Sequence, residues 1–89
     1  MIINGLIHEL IFALENESIV NPNSMEFLKY VQENKFYLSN TTNQFNQNLA
    51  IDTIRGINRF SDEFNFTNKN KTTIKSLIYK IYDNLNIVP

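Results

Sequence analysis

The hydrophobic positions of this chain fall into four runs separated by polar breaks, and each run carries the period of an α-helix. In the first, Ile3, Leu6, Ile7, Leu10, Ile11 and Leu14 stand at i, i+3, i+4, i+7, i+8 and i+11, one stripe of a helix predicted from about Ile2 to Glu15. Ile2, Phe12 and Ala13 widen the stripe, and Gly5 weakens only the first turn. A connector from Asn16 to Asn21 follows. Asn21-Pro22 then signals a helix start with proline at the first helical position, and Asn23 with Glu26 offers a capping-box start slightly later. The second helix runs to about Leu38 and buries Phe27, Leu28, Val31 and Leu38, with Tyr30, Phe36 and Tyr37 spread more widely.

Ser39 to Asn43 is uniformly polar and without hydrophobic period, so the chain turns there. The third helix is predicted from about Gln44 to Phe64. Ala50, Ile54, Ile57 and Phe64 form one row, Thr53, Ile57 and Phe60 an adjacent one, and Phe45 and Leu49 extend the face toward its start. Gly56 in the middle costs about 1 kcal/mol relative to Ala, which close approach by a neighbouring helix would explain. Asn65 to Lys71 reads as a polar, lysine-bearing loop containing Phe66. Thr72 or Asn70 then caps a fourth helix reaching about Leu85, in which Ile74, Leu77, Ile78, Ile81, Tyr82 and Leu85 repeat the spacing of the first. Ile87-Val88-Pro89 is a short tail. Four amphipathic segments on short polar connectors pack most simply as an antiparallel (up-down) four-helix bundle, so the predicted fold is all-α, a single domain over 1–89.

Composition supports helices. With 89 residues there is room for one modest core, and 43% hydrophobic and 12% aromatic residues suffice to build it. Two Gly and two Pro are too few for the tight turns of a sheet protein this small. The absence of cysteine removes disulfides, thiol nucleophiles and cysteine metal sites, which suits a cytoplasmic protein. The apolar opening, Met1 to Leu14, lacks a basic n-region and an A-x-A-like cleavage site and is interrupted by His8 and Glu9. It reads as a mature helix and not as a secretion signal or a membrane span. Asparagine, about one residue in six, reflects codon usage in a low-GC genome.

A net charge of −1 argues against a nucleic-acid binder. Charge is uneven, however: Lys69 to Lys80 holds four lysines and no acid, a weak local positive field.

No catalytic template fits. His8 is the only imidazole, and beside the apolar stripe it reads as a structural residue. Zinc-ligand spacing, Glu-x-x-His motifs and a Gly-rich phosphate loop are all missing. Glu15 with Glu17, and Asp62 with Glu63, read as solvated surface pairs. Arg55 and Arg59 read as an ordinary solvated face beside Asp52 and Asp62. The expectation is therefore no enzymatic activity, no cofactor and no metal. Lys69, Lys71, Lys75 and Lys80, interleaved with Phe66, Tyr79 and Tyr82, are the best surface candidate: such a patch suits an anionic lipid surface or the cytoplasmic side of a membrane complex, and equally an ordinary hydrophilic helix face.

Taken in order, the segments LIHELIFALENESI, NPNSMEFLKYVQ, LAIDTIRGINRFSDEFNF and TTIKSLIYKIYDNL resemble the immunity proteins that protect Gram-positive producers of pediocin-like (class IIa) bacteriocins. The resemblance covers nearly the whole chain. Its most specific part runs from Ile57 to Tyr82, where the family's helix end, Asn-Phe turn and "I..LY..I" helix fall at Asn65-Phe66 and at Ile74, Ile78, Tyr79 and Tyr82. Many members carry a longer tail after the fourth helix, so a role borne by such a tail is not carried over.

The resemblance implies a non-enzymatic, monomeric four-helix bundle, cytoplasmic and at the membrane periphery wherever it meets lipid. Its partner would be the membrane components of the mannose phosphotransferase system with bacteriocin attached, engaged from inside the cell. Recognition is associated with the C-terminal half, which assigns Phe66, Lys69, Lys71, Lys75, Tyr79 and Tyr82 as the partner-binding surface. Two readings compete. One is a small phage- or plasmid-encoded helical inhibitor that sequesters an intracellular protein. The other is a helical transcription regulator, weakened by the near-neutral charge and the lack of a helix-turn-helix pattern.

Overall fold

The structure, a computed structural model, describes residues 2–85; the Ile87-Val88-Pro89 tail lies outside them. It is an antiparallel four-helix bundle, α1 (Ile2–Val20), α2 (Met25–Ser39), α3 (Gln44–Ser61) and α4 (Asn68–Leu85), with one 3₁₀ turn, Pro22–Ser24, between the first two helices. Each helix packs on its neighbours around the ring α1–α2–α3–α4–α1. The diagonal pairs do not come into backbone contact among the described residues. The result is a rod of 40 × 19 × 19 Å.

The first helix is longer than its hydrophobic stripe predicts. Nothing between Glu15 and Val20 breaks a helix; the stop is imposed by Pro22, whose ring drives the preceding residue out of the helical region. Asn21 accordingly sits at φ −139°, ψ 81°. Pro22 opens the 3₁₀ turn, where its missing N–H costs nothing. The Asn23–Glu26 capping box does not form, because α2 begins at Met25, behind Ser24. At α3 the Asn43 side chain accepts the Asn46 N–H at 2.9 Å, a conventional N-cap. α3 ends at Ser61, three residues short of the prediction. Its last turn tightens into i→i+3 bonds, with the N–H groups of Asp62, Glu63 and Phe64 donating to Arg59, Phe60 and Ser61.

One core runs the length of the bundle. α1 contributes Ile3, Ile7, Leu10 and Leu14, α2 Phe27, Leu28, Val31 and Leu38, α3 Ala50, Ile54 and Ile57, and α4 Ile74, Leu77, Ile78, Ile81 and Leu85. Truncating one of the fully buried leucines to Ala costs about 2–5 kcal/mol. Near the α2–α3 seam the core is aromatic: the Phe27 ring lies 5.8, 5.5 and 5.7 Å from Phe60, Phe64 and Phe66. Tyr30 meets Phe60 edge-on at 5.0 Å. Gly56 faces the same seam. A Cβ there would meet only the Tyr30 hydroxyl, at 3.5 Å, an ordinary van der Waals contact. The neighbouring helix therefore approaches Gly56 without requiring glycine.

Candidate functional site

The six residues assigned to partner binding do not form one surface. Lys71, Lys75 and Tyr79 share an i, i+4, i+8 row on α4 and, with Lys80, line a shallow depression on its outer side. Lys69 stands exposed in the first turn of the same helix. Tyr79 and Tyr82 also wall a groove of about 370 Å³ between α3 and α4, floored by Ile54 and Ile78. Phe66 is elsewhere. At 6% exposure it belongs to the core, held between Phe27 and Phe64. It anchors the α3–α4 loop and has no ring surface to offer a partner.

Lys75 is also committed internally. Its Nζ donates to Asn58 Oδ1 at 3.1 Å and Ser61 Oγ at 2.7 Å, and forms an ion pair with Asp62 Oδ1 at 2.8 Å. An ammonium has three donors, and all three are used. The acceptors sit on the last turn of α3 and its C-cap, the negative end of that helix, so charge and site agree. Tyr82 is half-buried and accepts a hydrogen bond from Arg55 Nη2 at 3.3 Å; the guanidinium also lies 5.7 Å from the ring centroid. Arg55, expected to be a plain solvated residue, thus forms the rim of the α3–α4 groove while keeping a long contact of 3.8 Å with Asp52.

That leaves Lys69, Lys71 and Tyr79 as the predicted residues that are exposed and without a salt bridge among the described residues. Lys69 and Lys71 stand in the first turns of α4, which carry no acid of their own.

The largest departure from expectation is Glu17, which is not a surface residue. It has no accessible surface, and its carboxylate joins three chain segments. Oε2 accepts the backbone N–H of Thr67 at 2.8 Å and the side-chain amide of Asn21 at 3.0 Å. Oε1 accepts the Thr67 hydroxyl at 2.7 Å and the Asn70 amide at 2.8 Å. Asn21 further donates to the Asn65 carbonyl at 2.9 Å. The Thr67 carbonyl receives the first bonds of α4, from the N–H groups of Asn70 and Lys71. Thr67 is therefore the cap residue, ahead of the predicted Asn70 or Thr72. Glu17 supplies the negative charge at this helix N-terminus that the sequence of α4 lacks. Burial alone would push its carboxyl up, but the hydrogen bonds from Asn70, Thr67 and Asn21 outweigh that and hold it at about 2, against an ordinary 4.5.

A sequence signal for Glu17 existed. Ile3, Ile7, Leu10 and Leu14 advance by alternating steps of four and three, and the next step reaches position 17. A carboxylate in phase with a core stripe is either an error of register or a buried polar hub; here every buried side-chain nitrogen and oxygen among the described residues has a partner.

No helix among the described residues is long and apolar enough to cross a membrane, and no group of three His, Asp or Glu side chains lies close enough to hold a metal ion. Compared with known protein families, curated proteins and solved structures, the chain matches none.

Proposed function

We propose that this chain is a binding module without catalytic activity, and more specifically an immunity protein of the pediocin-like type. It would act by engaging the bacteriocin-loaded mannose phosphotransferase complex from the cytoplasmic side of the membrane. The observation that carries the proposal is the outer side of α4. Lys69 and Lys71 are exposed in the first turns of the helix and have no ion-pair partner among the described residues. Tyr79 continues the same helix as an exposed aromatic, beside the Arg55–Tyr82 pair that rims the α3–α4 groove. A basic, aromatic-bearing strip of this kind suits an anionic partner surface. The family-like order of four amphipathic segments adds support.

The test is expression of the chain in a bacteriocin-sensitive lactic acid bacterium challenged with a panel of pediocin-like peptides. Protection against one or a few peptides is expected. Lys69→Gln with Lys71→Gln is expected to weaken protection about tenfold, as loss of two contact charges would, while the helical circular-dichroism signal is retained. Folded, abundant protein that protects against none of the panel would end this reading.

A further inference from the structure

α1 is the most apolar of the four helices, yet only one side of it meets the bundle. Its core stripe is Ile3, Ile7, Leu10, Leu14 and Glu17. Phe12 lies two residues from both Leu10 and Leu14, and Ile19 two residues from Glu17, which places both on the opposite side of the helix. Seven residues apart, they stand one above the other two turns along. With Ile2 and Val20 nearer the flanks, they are between 64% and 78% exposed. Phe12 and Ile19 thus form a narrow apolar seam on the far side, flanked by the exposed Gly5, His8, Glu9 and Asn16, and a seam of this kind is suited to a second helix.

Charge selects what covers it. Between Ile2 and Val20 there is no Lys or Arg, while Glu9 and Glu15 are exposed and neither has a salt bridge among the described residues. A second copy of this face would bring acid against acid, and an anionic lipid surface would be repelled in the same way. A cationic amphipathic helix meets both requirements: its apolar side covers Phe12 and Ile19, and its lysines or arginines meet Glu9 and Glu15. Beside Phe12 there is also somewhere for such a helix to seat a side chain. A groove of about 520 Å³ runs between α1 and α4, walled by Ala13, Thr73 and Ser76 and lined also by Glu9 and Lys80.

We propose that the outer face of α1 is a docking surface for a basic, amphipathic α-helix supplied by a partner protein or peptide. The mode is helix against helix, with Phe12 and Ile19 as anchors and Glu9 and Glu15 setting sign and register. It adjoins the α4 strip at Lys80, but its anchors lie on α1, and it stands whether or not the immunity reading does.

The full chain would be titrated with a synthetic amphipathic helix of leucine and lysine, about 18 residues long, and in parallel with its leucine–glutamate counterpart. The expected result is binding of the lysine peptide alone, with shifts in the amide spectrum along α1. Phe12→Ser with Ile19→Ser should weaken it about tenfold, and Glu9→Gln with Glu15→Gln about threefold. Phe45→Ser, at an even more exposed aromatic on α3, should leave it unchanged. Equal binding of both peptides, no binding of either, or equal sensitivity to Phe45→Ser would overturn the proposal. So would Phe12-dependent binding to phosphatidylglycerol vesicles or Phe12-dependent dimerisation, which would assign the face to lipid or to a second copy.

Discussion

Two charged residues of opposite sign tie α4 to the rest of the bundle, and they do so in different ways. Glu17 is wholly buried, has no counter-ion among the described residues, and is stabilised by four hydrogen bonds from neutral donors at the N-terminus of α4. Lys75 keeps 22% of its side chain exposed and reaches the C-terminal end of α3, where an exposed aspartate completes its set of partners. Each charge sits at the helix end of opposite polarity. What separates them is solvent. Around Glu17 no water can substitute for a lost partner, so every bond counts at low dielectric. Around Lys75, water and salt compete for the same ammonium, and an ion pair of that kind contributes little net stability.

The comparison breaks most visibly at Glu17. Glu17→Ala strands the Thr67 N–H, the Thr67 hydroxyl and two side-chain amides in a site built around a carboxylate, and it is expected to cost about 3 kcal/mol in urea unfolding. A loss under about 1 kcal/mol would mean that the site hydrates freely and is not the closed hub described above.

Acid probes the same residue without mutation. Because the folded carboxyl stays ionised down to about 2 while the unfolded one titrates near 4.5, the unfolded chain binds the proton first as pH falls. The contribution of Glu17 is therefore complete above 4.5 and lost between 4.5 and 2. Melting curves of the parent and of Glu17→Gln should differ most at neutral pH and converge through that window; a constant gap would show that the charge is immaterial.

Lys75→Met should cost only about 1 kcal/mol, and raising salt should shrink the difference from the parent while leaving the Glu17→Ala penalty in place. If the two penalties respond to salt alike, the contrast in solvation is wrong.

The fold was legible because packing repeats. Ile3 to Leu14 in α1 and Ile74 to Leu85 in α4 each announce a helix and its core side. Chain ends of helices were less legible. The stop at Val20 depends on Pro22 acting across Asn21, and the start at Asn68 depends on a carboxylate fifty residues earlier in the chain. The candidate surface was only partly legible for a similar reason. Lys71 and Tyr79 sit on the outer side of their helix, as the periodicity requires. Lys75, although beside them in the same row, is drawn onto Asn58, Ser61 and Asp62 by contacts between elements that no local pattern encodes. Phe66 lies in a polar loop, and a loop has no period from which burial can be read; its ring is claimed by Phe27 and Phe64.

The Glu17 clasp also carries a consequence for the order of folding. Its bonds to Thr67 and Asn70 span 50 and 53 residues, whereas the α1–α2 and α3–α4 hairpins each close across a few. Drawing together ends some ten times farther apart costs about 2 kcal/mol more in chain entropy, so the hairpins are expected to form before the clasp shuts. A residue that joins after the rate-limiting step affects the return journey only. Glu17→Ala should leave the refolding limb of a chevron in place and raise the unfolding limb, which makes this one carboxylate a determinant of how long the native state lasts once formed.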